Sequence, residues 1–488
     1  MLSHFEGLIL ILGYGCVFAL IVFLTRGKDR SSDEFLVVKR QLGVFRGSLS
    51  IAAAWTWAPA VFICSLKSFT QGLPGIFWFT VPNILCFFTF TPLAVRLRKL
   101  FPHGYTWPDY IWVRFERNKM AHLVSLFVYF GYQMGAIIIN CLAGGTLLNL
   151  LTGLDLHLSI AAMAVTALTY SLISGFRASV LTDVIQMTLI KSLCLVVVPW
   201  VIIKAGGLHV LSEGLGGESG KFANVFDPSV AFSFGIATTL GLISGPISDQ
   251  MFFQRTFAAK RNRVAPIFVF GGLIFGVLPI VLSLLGFIGA APSVRASLTV
   301  SDPQMIGPIV VAHFLPKWAL MIFCVMAFAA LSSTLDSAYC AVSSLGSIDV
   351  FRRYIRPNAT DAELVKAARI SMLTCSVIGT AIAMLGPQLL WVFLIYGALA
   401  SSALFPTVFS LYSKRLTANG LAWAIGLSLL FGTPLSIYAN VKQDTNLIVL
   451  AAIISVAIGL VVCMISVALS KTLFEFPRAE EEAKAFGD

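Results

Sequence analysis

Residues 329–337 read Ala-Ala-Leu-Ser-Ser-Thr-Leu-Asp-Ser, within a segment otherwise apolar enough to cross a membrane. Wound as an α-helix, Ala330, Ser333, Thr334 and Ser337 fall within one arc of about 100°. That arc offers hydroxyls, a closely approachable backbone and, at its edge, the carboxylate of Asp336. Oxygen ligands of this kind suit a small hard cation. Small hydroxylic residues also let transmembrane helices pack closely, so a packing seam explains the hydroxyls equally well. Asp336 adds an ionisable group at membrane depth, which by default marks a functional site.

The surrounding composition makes the membrane reading firm. The chain has 488 residues, 58% hydrophobic and 12% charged, against roughly 25% charged for a soluble globular protein. Long apolar runs predict about thirteen spans, each near the roughly 20 residues a bilayer requires. They fall at 6–25, 47–71, 76–95, 121–151, 157–175, 178–203, 230–252, 264–291, 309–346, 366–385, 388–412, 418–438 and 446–470. The first begins close to the N-terminus without a basic leader, and is read as a retained helix rather than a cleaved signal.

A net charge of +11 invites a nucleic-acid partner, but its distribution argues against one. Arg26, Lys28, Arg30, Lys39, Arg40 and Arg46 follow the first span; Arg96, Arg98, Lys99, Arg114, Arg117 and Lys119 follow the third. Clusters after the seventh, ninth and eleventh spans continue the alternation, while connections on the other side hold few cations. The positive-inside rule then places the N-terminus outside and the C-terminus in the cytoplasm of a plasma membrane, taken as a bacterial inner membrane. The expected partners are the lipid bilayer and a small polar solute, with no nucleic acid and no obligate protein partner. Nine cysteines, none in a CxxC pair, indicate neither a disulfide framework nor a zinc site.

The chain divides into residues 1–30, a peripheral helix and the start of a loop; 47–205 and 230–412, two inverted repeats; 418–470, two peripheral helices; and 471–488, a cytoplasmic tail with Glu480, Glu481 and Glu482. No connection is long enough to fold a catalytic core, so the chemistry lies among the helices. Two spans carry interruptions. Pro59 sits near mid-depth of the second, where it frees a carbonyl. Gly235, Gly241, Gly245 and Pro246 punctuate the seventh. The two spans lie five apart and therefore run in opposite directions. Such a pair points to a transporter's midplane site, although glycine and proline are common in transmembrane helices generally.

The ninth-span arc needs partners from another helix. Carbonyls of Pro59 and Phe62, beside the proline break, are candidates. With the Ala330 carbonyl and the Ser333 and Thr334 hydroxyls they give a shell of about five oxygens. Asp183, a second carboxylate in a span, either approaches Asp336 and Ser337 to form a second cation or proton site, or neutralises Arg177 or Lys191. Asp249 and Arg255, after the seventh span, are read either as an ion-pair latch or as a solvated helix end.

Together these residues resemble the sodium/solute symporter family. The resemblance rests on Asp249-Gln250 followed by Gln254-Arg255 and Ala258-Ala259-Lys260, on Ala329-Ala330-Leu331-Ser332-Ser333-Thr334-Leu335, and on Gly175-Phe176 with Thr182-Asp183 and Gln186. It implies an all-α polytopic protein with a LeuT-type 5+5 inverted-repeat core, one helix before it and two after. It also implies a sodium site at Ala330, Ser333 and Thr334 facing the first core helix. Asp183 matches an acidic residue below that site and Ser337 a serine of a second sodium site, whereas Asp336 stands where those members have serine. The passage Trp55-Thr56-Trp57-Ala58 through Gly72, Gly75, Phe77 and Trp78 looks most like the urea-transporting branch.

The resulting expectation is a secondary active symporter, not an enzyme, that uses Na+ to import a small polar solute by alternating access. Solute contacts are expected at Trp57, Ala60 and Ile63, at Phe77 and Trp78, and at Thr238 and Thr239. The alternatives are proton coupling, passive passage of urea or a short carboxylate through a channel, or a transporter-like membrane sensor.

Overall fold

The computed structural model describes residues 2–27, 31–471 and 473–475. Lys28, Arg30 and the tail with Glu480, Glu481 and Glu482 lie outside the described residues. The described chain is helical, with one isolated bridge between Leu42 and Ala259.

Among the described residues twelve helices are long and apolar enough to cross a membrane, against the thirteen spans expected. The difference arises at one residue. Gly72, at φ 59° and ψ −146°, breaks the apparent helix Cys64–Leu100, so that Pro59–Leu100 runs out to a corner and back. A Cβ at Gly72 would stand 2.5 Å from the carbonyl oxygens of both Leu215 and Phe222. Only glycine fits that corner without strain. The loop after residue 205 stitches it shut, with Leu73 N–H donating to Leu215 O and Glu218 N–H to Phe69 O.

The spans are α1 (His4–Thr25), α2 (Val44–Ala54 continued by 59–71), α3 (73–100), α4 (Lys119–Thr152), α5 (Leu156–Ser174) and α6 (Phe176–Ala205). They continue as α7 (Pro228–Ser248), α8 (Val264–Ala290), α9 (Lys317–Ser344), α10 (Asp361–Ala383), α11 (Leu389–Tyr412), α12 (Ala418–Lys442) and α13 (Thr445–Leu469). The sets α2–α6 and α7–α11 form the core, with α1 before and α12 and α13 after.

The break in α2 follows from its sequence. Val44–Ala54 ends at Trp55, and a π-helical turn, Pro59–Ile63, restarts the helix with proline in its first turn, where a missing N–H costs nothing. Between them the Ala58 N–H donates to Asn140 Oδ1 on α4 at 2.9 Å, and the Trp55 indole donates to Asn83 on α3. In α7 the interruption expected at Gly235 is present as a π-helical turn, Ala231–Gly235. The helix passes regularly through Gly241 and Gly245, then breaks at Asp249 (φ −102°, ψ 110°) and resumes as Gln250–Ala258. The glycines serve packing instead: a Cβ at Gly241 would lie 2.8 Å from the Gly397 Cα, so α7 and α11 touch backbone to backbone.

Outward-facing apolar side chains such as Leu12, Leu20, Phe127, Val377 and Ile465 are exposed, as a lipid-facing belt requires. A short helix, Trp107–Arg114, crosses the bundle end where α3 finishes. Thr106 bonds to Asp349, Tyr110 to the Ser410 carbonyl, and Asp109 pairs with Arg353.

Candidate cation and solute site

Ending Val44–Ala54 early leaves its last carbonyls without helical partners. The Thr334 hydroxyl on α9 donates to the Ala54 carbonyl at 3.0 Å. Next to it on the same face of α9, Ser333 donates to Asp183 Oδ1 at 2.5 Å. Ala330, Ser333, Thr334 and Ala54 are all buried. The α2 carbonyl that Thr334 meets is thus that of Ala54 rather than that of Pro59 or Phe62. Pro59 O accepts the Cys64 N–H of the π turn; Phe62 is buried in the apolar core.

Asp183 is fully buried, and neither Arg177 nor Lys191 neutralises it. Its partner is Arg255, at 2.8 Å with both side chains 0% exposed. Ser50 on α2 donates to Asp183 Oδ2 at 2.5 Å and accepts from Arg255 Nε at 2.9 Å. Arg255 also donates to Ser337 at 2.8 Å, so its guanidinium sits between Asp183 and Ser337. Neither reading of Asp249 and Arg255 holds: both side chains are fully buried rather than solvated, and Arg255 pairs with Asp183 rather than with Asp249; Arg177 meets Glu34 at 2.5 Å.

Asp336 is held by hydroxyls. It accepts from Ser179 at 2.6 Å, Tyr170 at 2.8 Å, Thr182 at 3.2 Å and Ser337 at 3.4 Å. Gln186 adds a layer above, donating to Tyr14 at 2.7 Å and Ser332 at 3.1 Å. Tyr14 brings α1 into this polar cluster. Ser50, Tyr170, Ser179 and Tyr14 were not singled out in the sequence. Their signal, a hydroxyl in an apolar run, is shared by many packing residues.

Beside this cluster lies a small cavity bounded by Trp57, Tyr132, Thr238, Phe393, Tyr396 and Gly397 among others, with about 20 Å³ of water-sized space. A second space, of about 10 Å³, adjoins it through shared walls at Trp57, Tyr132 and Tyr396 and reaches Ala54 and Thr334. Trp57 and Thr238 are therefore brought to one cavity. Trp57 Nε1 and Thr238 Oγ1 are both buried without a hydrogen-bond partner. Thr239 lies outside it. Ala60 and Ile63 pack into the apolar core. Phe77 and Trp78 are also apart, with Phe77 against Phe226 at 5.1 Å and Trp78 against Gly235. Tyr132, Phe393 and Tyr396 were missed, since nothing in the sequence marks which aromatic residues of a span face inward.

The model of the sodium:solute symporter family matches residues 35–427. The chain belongs to that family. It is a multi-pass membrane transporter and not an enzyme. A rice (Oryza sativa subsp. japonica) urea-proton symporter is 22% identical over 91% of this chain and 68% of its own length. A human high affinity choline transporter is 24% identical over 91% of this chain and 81% of its own. Four further urea transporters, from fission and baker's yeast, are spanned over only 54% to 65% of their length. Among solved structures, a Na+-coupled sialic acid symporter in a substrate-bound outward-open state superposes with a TM-score of 0.78 at 15% identity, over 97% of this chain and 99% of that one. MhsT in complex with L-phenylalanine follows at 0.52 and 13%, over 88% and 99%. The fold of this symporter is thus of the LeuT type, with ten core helices, one before and two after.

Proposed function

We propose that this symporter couples inward sodium movement to import of a small polar solute by alternating access. Sodium binds between the Ala54 and Ala330 carbonyls and the Ser333 and Thr334 hydroxyls. The observation that carries this reading is the Thr334–Ala54 bond, which closes a ring of neutral oxygens across the break in α2. Neutral oxygens suit a monovalent hard cation, and the Asp183 carboxylate, its charge balanced by Arg255, holds the Ser333 hydroxyl in place. Sodium there ties the broken helix to α9 and so orders the solute cavity; by linkage the solute raises sodium affinity equally. Arg255 supplies the positive charge between Asp183 and Ser337, so a second metal cation is not invoked there.

No ionised side chain bounds the solute cavity. Trp57 and Thr238 offer an indole donor and a hydroxyl, which favours an uncharged solute with a carbonyl acceptor and N–H donors. Urea, carried by the rice relative, meets that description. The rings of Trp57, Tyr132, Phe393 and Tyr396 would equally suit a quaternary ammonium such as choline. The water-sized space, enough for about one or two waters, favours the smaller solute. The charge distribution supports an N-terminus outside and a C-terminus in the cytoplasm.

Uptake of urea, choline, short carboxylates and sugars into proteoliposomes, with and without a sodium gradient, tests the reading. Accumulation of one solute above equilibrium only with sodium is expected. Equilibration without accumulation, or equal uptake in potassium, would sink sodium coupling.

A further inference from the structure

Asp249 ends α7 and caps the next helix, Gln250–Ala258. Its side chain is fully buried. Oδ1 accepts from the Gln133 side-chain amide and from the Met251 N–H, both at 2.8 Å. Among the described residues Oδ2 has no partner, and neither has Oε1 of that same Gln133, also 0% exposed. Buried acceptors on a bonded pair of side chains rarely stay bare. A buried carboxylate without a cation is costlier still. Among the described residues no Lys, Arg or His forms an ion pair with Asp249, and Arg255, the cation nearest in sequence, is bound to Asp183.

One proton resolves every unmet requirement. Placed on Oδ2, it neutralises the carboxylate and turns that oxygen into a donor for Gln133 Oε1, while the Gln133 N–H continues to donate to Oδ1. The pair becomes a carboxylic acid and an amide joined by two hydrogen bonds. We propose that Asp249 is a proton-binding site of this transporter, with Gln133 as the amide that recognises the bound proton.

The location gives the proton something to act on. Gln133 follows Tyr132, which lines the solute cavity, and Met251 lines the adjoining space with Thr334. The titratable groups facing Asp249 are Tyr129 and Tyr132 from α4, Cys86 from α3 and Arg255 from its own helix. The three neutral groups supply no balancing charge. Binding or release of a proton at Asp249 therefore acts on Gln133 and Met251, each next to the cavity walls. Asp183 and Asp336 are different: Arg255 and six hydroxyls meet their oxygens.

Infrared difference spectra of the purified full-length protein, recorded while pH rises from about 5 to 9, test this without any solute. Wild type is expected to lose a carboxylic-acid carbonyl band within that range. Asp249→Asn, whose amide can donate to Gln133 in the proton's place, is expected to lack that band, and Asp249→Glu to keep one at a shifted midpoint. Asp183→Asn and Asp336→Asn are expected to retain it. A titrating band that persists in Asp249→Asn, or no band lost in wild type, would overturn the site. If Asp249→Asn does not fold, a wild-type midpoint left unmoved by Asp249→Glu overturns it equally. Sodium enters none of these measurements, so their failure leaves the sodium reading untouched, and loss of sodium coupling leaves this site untouched.

Discussion

The Thr334 hydroxyl on α9 donates to the Ala54 carbonyl on α2 at 3.0 Å, joining the two core repeats at the point where α2 is unwound. A carbonyl freed by helix termination and a hydroxyl from the opposite repeat are the elements of a coordination shell that a regular helix would have used internally.

Removing either hydroxyl should weaken sodium more than it weakens the fold. A hydrogen bond or ligand contact to a charged group contributes about 1.5 kcal/mol or more, or roughly tenfold in affinity. Thr334→Val and Ser333→Ala are each expected to raise the sodium concentration for half-maximal uptake by about tenfold, at near-normal membrane expression. Sodium activation unchanged in both variants would remove the proposed site.

Asp183 and Arg255 form a 0%-exposed pair, so breaking it from one side leaves a bare buried charge. Arg255→Gln or Asp183→Asn alone is expected to cost about 3–5 kcal/mol, seen as a marked fall in Tm of the detergent-purified protein. The double variant removes both charges and should recover much of the loss. Single-variant Tm values close to wild type would mean that water reaches the pair.

How far the sequence could reach depends on which forces leave a local trace. Apolar runs and charge alternation disclosed the spans, since hydrocarbon imposes a length and a polarity on each of them. The α9 arc was legible because four oxygens recur at helical spacing. In the α2 half, proline marks where the helix restarts, whereas the carbonyl that meets Thr334, that of Ala54, lies where the helix stops. Arg255 with Asp183, 72 residues apart in sequence, leaves no local trace, and the sequence offered only nearer candidates: Asp249 for Arg255, and Arg177 or Lys191 for Asp183. The inward faces of α4 and α11, with Tyr132, Phe393 and Tyr396, are fixed by packing alone, because both faces of these helices are apolar.

The contact between Gly241 and Gly397 sets the spacing of α7 and α11 beside the cavity. A Cβ at Gly397 would come within 3.1 Å of the Gly241 Cα, and backbone cannot swing aside as a side chain can. Gly397→Ala is expected to cost about 1–3 kcal/mol of packing and to lower the maximal uptake rate several-fold. The larger Gly397→Val should abolish uptake while leaving α1, α12 and α13 inserted, as judged by protease protection. Unchanged uptake in Gly397→Val would show that this approach is not needed for transport.

Gly72 makes a sharper test of the corner between α2 and α3. Its φ of 59° with ψ of −146° is a region that only glycine occupies readily, at a cost of about 1–3 kcal/mol for other residues. The two carbonyl oxygens that a Cβ there would meet at 2.5 Å add a clash. Gly72→Ala should therefore lower Tm more than Gly207→Ala. Gly207 also has positive φ, but a Cβ there meets nothing within 4 Å. Equal effects would assign the whole penalty to backbone conformation and none to the corner's packing.

Trp57 separates recognition by hydrogen bonding from recognition by shape. Its indole N–H is buried and unpartnered, and its ring packs on Phe393 at 5.7 Å. Trp57→Phe keeps an aromatic ring and deletes the donor, while Thr238→Val deletes the hydroxyl at nearly constant volume. If the solute's carbonyl accepts from Trp57, Trp57→Phe should raise the solute KM by about tenfold, the worth of one hydrogen bond at a buried site. Sodium activation should change little. Thr238→Val should act in the same direction. An ammonium solute held only by ring faces would instead tolerate both changes, and a KM unmoved in the two variants would exclude the hydrogen-bonded solute.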